Sequence, residues 1–485
     1  MDKQPTGMLN DLYQLTMSQG YWQKNMGDLR ANFHLFIRQN PFGGGFSLFA
    51  GLENLIANIQ NFSFAEDDLA YLSTLKQKNG DALFQSEFLK FLKDYRLDLD
   101  LWSLQEGCVF FPQCPILRVE GPIIACQLLE TMLLNTINFQ TLIATKAARI
   151  YLSADGADVL EFGFRRAQGV DGALSASRAA YIGGCSSTSN LYAGKTYGIP
   201  VSGSHAHSWV LAFGSEIEAF EAYASVYPNQ LILLVDTYDT LQGIENAIKV
   251  AQNLPNPSEQ LLAIRLDSGD LTYLSTLARQ KLDQAGFTKT KILASNDLDE
   301  QLVENLKFQK AKIDVWGVGT KLVSADGYSS LKGVYKLTAI QAKNGQWIPK
   351  LKISNDQSKI NHPGLLQVRR FFDAHQKFLG DAIYALDLPE PKQWRILNPM
   401  NPMSGKKFSS ALPSKNLLEL VFQKGKRISV SPNIQQMREN SIKNLQSLDP
   451  TLKRILNPHI YPVGLEVSTF ERKMAMIAHL KSTEG

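Results

Sequence analysis

Two histidines stand in a run of small residues, Gly203-Ser204-His205-Ala206-His207-Ser208-Trp209, directly after the short apolar stretch Ile199-Pro200-Val201. A histidine that leaves a buried strand into such a loop is held without being walled in. Its imidazole titrates near neutral pH, so it can act as acid, base or nucleophile. Either histidine taken alone could equally be a satisfied structural residue. The company they keep argues otherwise. Upstream lies Glu161-Phe162-Gly163-Phe164-Arg165-Arg166-Ala167-Gln168-Gly169, and downstream come Asp236-Thr237-Tyr238-Asp239, Arg265-Leu266-Asp267-Ser268-Gly269-Asp270, Ser295-Asn296-Asp297 and Gly317-Val318-Gly319-Thr320-Lys321. Each of these polar clusters ends an apolar, strand-like run.

Arg265 and Asp267 are two residues apart, so on a strand they point the same way. They read either as a structural ion pair or as an anion ligand beside a carboxylate that holds ribose hydroxyls or a Mg²⁺-bound water. The bare amides of Gly317-Val318-Gly319 with the Thr320 hydroxyl suit a phosphate, although glycines are common in strand-to-helix turns. Arg165 and Arg166 are adjacent and would normally diverge into solvent. If the strand ends share one rim, cations, histidines, carboxylates and two Gly-rich turns converge there. Such a rim suits a multiply phosphorylated substrate.

The elements that would build this rim are strand-like runs at 159–164, 199–202, 231–236, 261–267, 291–295 and 313–319, with helical patterns at 241–252, 271–285 and 298–306. The spacing from Leu231 to Leu261 to Lys291 is about thirty residues, one βα unit. The runs are continuously apolar, as parallel strands covered on both faces require. This favours a (β/α) barrel, complete or irregular, over a short doubly wound sheet, and in a barrel the active site lies at the C-terminal strand ends. The division expected is 1–135 as an N-terminal α+β domain, 136–338 as the α/β barrel catalytic domain and 339–485 as a C-terminal segment packing on the N-terminal domain. Near the start, Leu9, Leu12, Tyr13 and Met17 fall at helical spacing and predict an amphipathic helix. Lys343-Asn344-Gly345-Gln346 predicts a hairpin turn.

Composition narrows the class. The chain has 485 residues, 44% hydrophobic and 20% charged, as in a soluble globular protein of two or three domains. A net charge of +4 gives no case for nucleic-acid binding. Cys108, Cys114, Cys126 and Cys185 have neither Cys-x-x-Cys nor zinc spacing and predict free thiols. The N-terminus lacks signal-peptide character, and Gly121–Leu134 is too short to span a bilayer. A cytoplasmic protein without a membrane partner is expected.

At these residues the chain resembles the nicotinate phosphoribosyltransferases. The resemblance runs through Asp11-Leu12-Tyr13-Gln14, the segment 16–22, Asn40–Gly45, Glu161–Gly169, Gly203–Trp209, Arg265–Asp270 and Gly317–Thr320. It implies synthesis of nicotinate mononucleotide and pyrophosphate from nicotinate and 5-phosphoribosyl 1-pyrophosphate, coupled to ATP hydrolysis, on the route to NAD. The implied fold is the type II phosphoribosyltransferase one: an irregular, TIM-like (β/α) barrel with an α+β domain formed from both chain ends. A homodimer with the site at its interface is implied as well. The resemblance makes His207 the histidine phosphorylated by ATP and gives Asp267 a place near the ribose. It makes Tyr13 the aromatic that stacks on the pyridine ring, from the neighbouring subunit. Arg165 and Arg265 become anion ligands, Ser204 a nicotinate contact and Thr320 a 5′-phosphate contact. Phe162, Ser295, Asn296 and Gly319 complete the implied substrate contacts. Mg²⁺ is expected with the substrate phosphates rather than in an all-protein site.

Two departures stand out: Ser204 where the family usually has Thr, which keeps the hydroxyl, and Pro363-Gly364-Leu365-Leu366-Gln367-Val368, which lacks the family's usual lysine. Three rivals have their own signals. A nicotinamide-specific enzyme would favour Asp within Ser187-Thr188-Ser189-Asn190, where none stands. An aldolase or isomerase would need a Schiff-base lysine, and Lys321 is the nearby one. A catalytically silent barrel serving as a binding module would be signalled by loss of His207 or of the Gly-rich turns, and both are intact.

Overall fold

The computed structural model describes residues 5–356, 359–399 and 401–483. The chain forms two compact units: Ile143–Ser329 with Ile434–Arg438, and the remainder, drawn from both chain ends.

The first unit is built on a six-stranded sheet in the order Ser187–Thr188, Asp158–Glu161, Val315–Val318, Lys291–Ser295, Leu261–Leu266, Leu231–Leu234. All neighbouring pairs are parallel. Strand residues such as Val159, Ile264, Ile292, Leu293 and Trp316 are buried, which accounts for the unbroken apolar runs. The expected strand 199–202 contracts to a single parallel bridge between Thr188 and Val201. Pro200 has no N–H to give a ladder; its carbonyl accepts from Thr188, and Ser202 donates back to the Thr188 carbonyl. The strand Ser187–Thr188, too short and polar to be read from periodicity, takes the place beside Asp158–Glu161. At the opposite edge the Leu234 N–H donates to Nε2 of His205 at 3.2 Å. A side chain therefore crosses the gap where ladder bonds would run, and the sheet curls into an irregular (β/α) barrel with one seam.

The helices after the strands begin on aspartates. Asp239, Asp270 and Asp299 accept from the backbone of Gln242, Tyr273 and Leu302, an N-cap contribution of about 1 kcal/mol each. Asp239 and Asp270, which look like rim chemistry in the sequence, are thereby occupied as caps. Glu161 is wholly buried. Its carboxylate accepts from the Gly163 N–H, from Ser177 Oγ at 2.8 Å and from Thr188 Oγ1. This ties the first strand to its neighbour, to a helix and to the turn that carries Arg165.

The second unit holds two sheets. One runs Trp347–Pro349, Gly333–Gln341, Arg30–Ile37, Leu117–Pro122, Asp100–Ser103, Glu419–Gln423, Lys426–Arg427; the other Asn401–Phe408, Trp394–Asn398, Val463–Glu466, Phe378–Ala385, Leu366–Phe372, Ser414–Asn416. The pairing of Arg30–Ile37 with Gly333–Gln341 joins early and late chain in one ladder. The predicted turn at Lys343-Asn344-Gly345-Gln346 connects two of its strands. Leu366, at the position of the missing lysine, is buried in the second sheet. A lysine there would bury an ammonium group at a cost. All four cysteines are buried and free. No helix among the described residues is long and apolar enough to cross a membrane.

The N-terminal helix is present, and its buried side is not the apolar one. The N-terminal helix Leu12–Gln23 buries Gln14, Leu15 and Ser18, whereas Leu9, Leu12, Tyr13 and Met17 are exposed. Gln14 is acceptable inside because its amide donates to Thr131 Oγ1 at 2.7 Å. The apolar face read from the sequence points outward.

Glu161→Ala strips acceptors from a buried backbone N–H and two buried hydroxyls, so it is expected to lower stability by about 3 kcal/mol in chemical denaturation. Glu161→Gln, which keeps one acceptor oxygen, loses less. A loss below about 0.5 kcal/mol for the alanine variant, the range of ordinary surface substitutions, would contradict this role.

Candidate active site

The parallel register sets the rim. Leu293 is level with Arg265, and Ser295 with Gly317. Arg265 therefore leaves its strand beside Ser295. Its guanidinium donates to Ser295 Oγ at 2.8 Å, to Ser204 Oγ at 3.3 Å and to Asp267 Oδ1 at 2.8 Å. Ser295 Oγ in turn donates to Asp267 Oδ1. Three of the five N–H groups of Arg265 are thus used for orientation, and the rest of the fork remains for a ligand. The side chain lies 5.6 Å from the Phe162 ring centroid, within reach of a cation–π contact. Of the two readings of Arg265 and Asp267, this geometry shows the ion pair.

A cleft of about 190 Å³ opens at this point. It is lined by Phe162, Arg165, Arg265 and Asp267 together with Ser295, Asn296, Gly319 and Thr320, residues at the ends of four neighbouring strands. Gly317 is needed because a Cβ there would meet the Phe162 ring at 2.9 Å. Asn296 holds φ at +143°, a backbone state that side chains rarely adopt, and such strain gathers at ligand sites. Arg165 and Arg166 sit on a short exposed turn, Phe164–Arg166, and both reach the cleft wall.

His207 stands beside Asp267. Its Nδ1 is 3.1 Å from Thr237 Oγ1. Its Nε2 lies 3.9 Å from both Asp236 Oδ1 and Asp267 Oδ2, and the ring is 40% exposed. One nitrogen is tethered; the other faces two carboxylates and open space. Asp236 is nearly wholly buried. Its Oδ2 accepts from the Asp267 N–H at 2.8 Å and Ser268 Oγ at 2.7 Å, while Oδ1 has no hydrogen-bond partner among the described residues. Asp236 and Thr237 were visible as strand-end residues, but nothing in their spacing marks them as partners of His207.

His205 points the other way. Nε2 accepts from Leu234 and Nδ1 donates to the Ala206 carbonyl at 3.3 Å, which fixes a neutral tautomer. Burial, with smaller contributions from Arg265 and His207, pulls its pKa below the usual histidine value. Lys321 donates to Asp299 Oδ2 at 2.7 Å, and that hydrogen bond raises its pKa. A lysine held cationic cannot form a Schiff base, which removes the aldolase reading. Tyr13 belongs to the other unit. There it is half exposed on its helix, with its pKa pushed up to about 12 by partial burial and by its hydrogen bond to Glu130.

An irregular parallel barrel with its polar groups at the strand ends, joined in one chain to an α+β unit, is the architecture of the type II phosphoribosyltransferases. Comparison with known proteins makes the assignment narrower. Family models described as the nicotinate phosphoribosyltransferase N-terminal domain, the nicotinate phosphoribosyltransferase family and the nicotinate phosphoribosyltransferase C-terminal domain match residues 8–138, 157–374 and 366–473. Nicotinate phosphoribosyltransferase of Bacillus subtilis (strain 168) is 43% identical over 477 residues, 97% of this chain and 95% of that one. The crystal structure of human nicotinic acid phosphoribosyltransferase superposes with a TM-score of 0.84 at 30% identity, covering 98% of this chain and 100% of the other. Nicotinate-nucleotide pyrophosphorylase from Pyrococcus furiosus shares the fold, with a TM-score of 0.67 at 20% identity over 91% of this chain and 95% of that one. The chain belongs to the nicotinate phosphoribosyltransferase family. It is an enzyme of NAD biosynthesis that converts nicotinate and 5-phosphoribosyl 1-pyrophosphate to nicotinate mononucleotide.

The seam makes a pH prediction. Neutral His205 has a depressed folded pKa. Its contribution is full above the unfolded value of about 6.5 and is lost as pH falls from there through the folded value. His205→Gln removes the titration, so its melting temperature should fall less than that of the wild type below about pH 6.5. Buried His34 and His362 titrate with the same sign in both proteins and cancel in the comparison. Parallel melting curves would contradict the seam role.

Proposed function

We propose that this enzyme couples nicotinate mononucleotide synthesis to ATP through a phosphohistidine at His207, with the cleft beside Arg265 as the substrate site. The observation that carries this reading is the asymmetry of the His207 ring. With Nδ1–H donating to Thr237, the Nε2 lone pair is free for attack on the γ-phosphorus of ATP. The N–P bond forms as the bond to the departing ADP oxygen breaks. Asp236 and Asp267 border Nε2 at 3.9 Å, beyond hydrogen-bond distance, so among the described residues the tether is Thr237 alone.

In the cleft the Phe162 ring offers a face to the pyridine, and the free part of the Arg265 fork offers a partner to its carboxylate. Nicotinamide has no carboxylate and gains nothing from that cation. Ser204 holds Arg265 in register. Asn296, Gly319 and Thr320 stand on the phosphate side, where backbone amides and a hydroxyl suit the 5′-phosphate. Asp267 lies where ribose hydroxyls would pass, and Arg165 meets the pyrophosphate from the exposed turn. The pyridine nitrogen attacks C1 as the bond to pyrophosphate breaks, and the cations offset charge growing on the leaving group.

Among the described residues no cluster of three or more His, Cys, Asp or Glu could hold a metal by itself. The unpartnered buried Oδ1 of Asp236 and the Asp267 carboxylate do fit a Mg²⁺ carried mainly by substrate phosphates and water. When bound, that ion would supply further charge for the pyrophosphate.

We further propose a homodimer in which Tyr13 serves the neighbouring subunit's site. The support is the outward side of Leu9, Leu12, Tyr13 and Met17, all of which are exposed large apolar residues.

Incubation with γ-labelled ATP should leave an acid-labile phosphate on the wild type and none on His207→Ala, whose fold is intact and whose ATP stimulation is gone. His205→Ala should be milder. Label on His205, or an unchanged ATP effect in His207→Ala, would refute the assignment. Arg265→Gln should lower kcat/KM for nicotinate about 100-fold and shrink the preference over nicotinamide; equal losses on both would place Arg265 elsewhere in the reaction. Mixing inactive Tyr13→Ala and His207→Ala chains should restore activity, because one site of each heterodimer then carries neither lesion. No recovery despite confirmed subunit exchange would mean that each chain builds its own site.

A further inference from the structure

The helix Val467–Thr483 carries Lys473, Ile477 and Lys481 at four-residue spacing, so the three share one face. That face borders a cavity of about 420 Å³ in the α+β unit, closed on other sides by Ile353, Ile360 and Pro399. None of these residues belongs to the barrel unit that holds Arg265.

Lys473 is 5% exposed. Its Nζ donates to the Ile360 carbonyl at 3.2 Å and to His362 Nδ1 at 3.0 Å. Among the described residues no carboxylate pairs with it, and burial alone pulls the ammonium down to about 8. His362 cannot supply a charge that helps: burial, then the neighbouring Lys473, hold its pKa well below the usual value. A buried cation without a counter-ion is unfavourable, and a methionine or leucine would fill the same place without that penalty. The cavity that Lys473 borders is lined mainly by apolar side chains, with Ser354 and Asn355 on its wall and a second, exposed lysine about 12 Å along the helix at Lys481. An anion entering the cavity supplies the missing charge, and the isoleucines and proline cover an apolar body.

We propose that this cavity is a second small-molecule site, taking a compact anion, carboxylate or phosphate, on an apolar body, with the anionic group on Lys473 and with Lys481 attracting it. The phosphoribosyl-transfer site is not involved, and the proposal stands apart from the roles assigned there.

Benzoate and phenyl phosphate, one apolar ring with either anionic group, are the probes. The full-length Arg265→Met variant, which removes the barrel arginine as a competing ligand, is titrated by calorimetry. One binding event with at least one probe is expected, and the tighter probe identifies the head group. Adding Lys473→Met should weaken that event at least tenfold. Ile477→Phe, which fills the cavity and keeps the lysine, should do the same and decides alone if the methionine variant does not fold. Absence of any event with either probe in Arg265→Met, or retention of full affinity in Lys473→Met or Ile477→Phe, would overturn the proposal.

Discussion

The guanidinium of Arg265 is the fixed point of this rim. It is set in place by Ser204, Ser295 and Asp267, which come from three different segments that meet only when the parallel register is correct. A planar fork with five donors loses little freedom when three of them are satisfied, and what remains is aimed. Asp267, so held, helps define the space around His207 Nε2. The cleft beside Arg265 and the His207 ring are therefore not separate devices. They share one carboxylate, and a register slip between Leu261–Leu266 and Lys291–Ser295 would dismantle both.

Behind that fork the barrel relies on polar groups where a regular ladder would use backbone. His205 crosses the seam to Leu234, two residues before Asp236 on the same chain. His207 is two residues beyond His205 and lies against Asp236. One histidine thereby helps set the position of the other against Asp236. Glu161 does the corresponding work on the far side, tying the turn of Arg165 to two neighbouring elements. Both groups are buried, so their hydrogen bonds act at low local dielectric, where an unmade bond is expensive.

Much of this was legible in the sequence, and for identifiable reasons. Long buried parallel strands declare themselves as unbroken apolar runs, so 231–236, 261–267 and 291–295 were found with their helices. The residues that end them followed, including Arg265, Asp267, Ser295 and Thr320. What could not be read depended on partners distant in sequence. The two-residue strand Ser187–Thr188 has no period to detect, and 199–202 looked like a full strand although Pro200 leaves it a single bridge. The helix at Leu12–Gln23 was legible from its apolar spacing, but not which residues it buries: Gln14 is acceptable inside because of Thr131, far along the chain. Asp239 and Asp270 resemble site carboxylates until their N-cap bonds are seen. Nor does any spacing distinguish the roles of His205 and His207; only the partners of each ring nitrogen do so.

The central claim is that the protein fixes the His207 ring through Nδ1 and leaves Nε2 as the nucleophile. Proton–nitrogen correlation NMR of histidine-¹⁵N-labelled enzyme, recorded before and after ATP, assigns the phosphorylated nitrogen directly. The account predicts a His207 ring phosphorylated at Nε2 with Nδ1 still protonated. A phosphate on Nδ1, or a His207 spectrum unchanged by ATP, would contradict it.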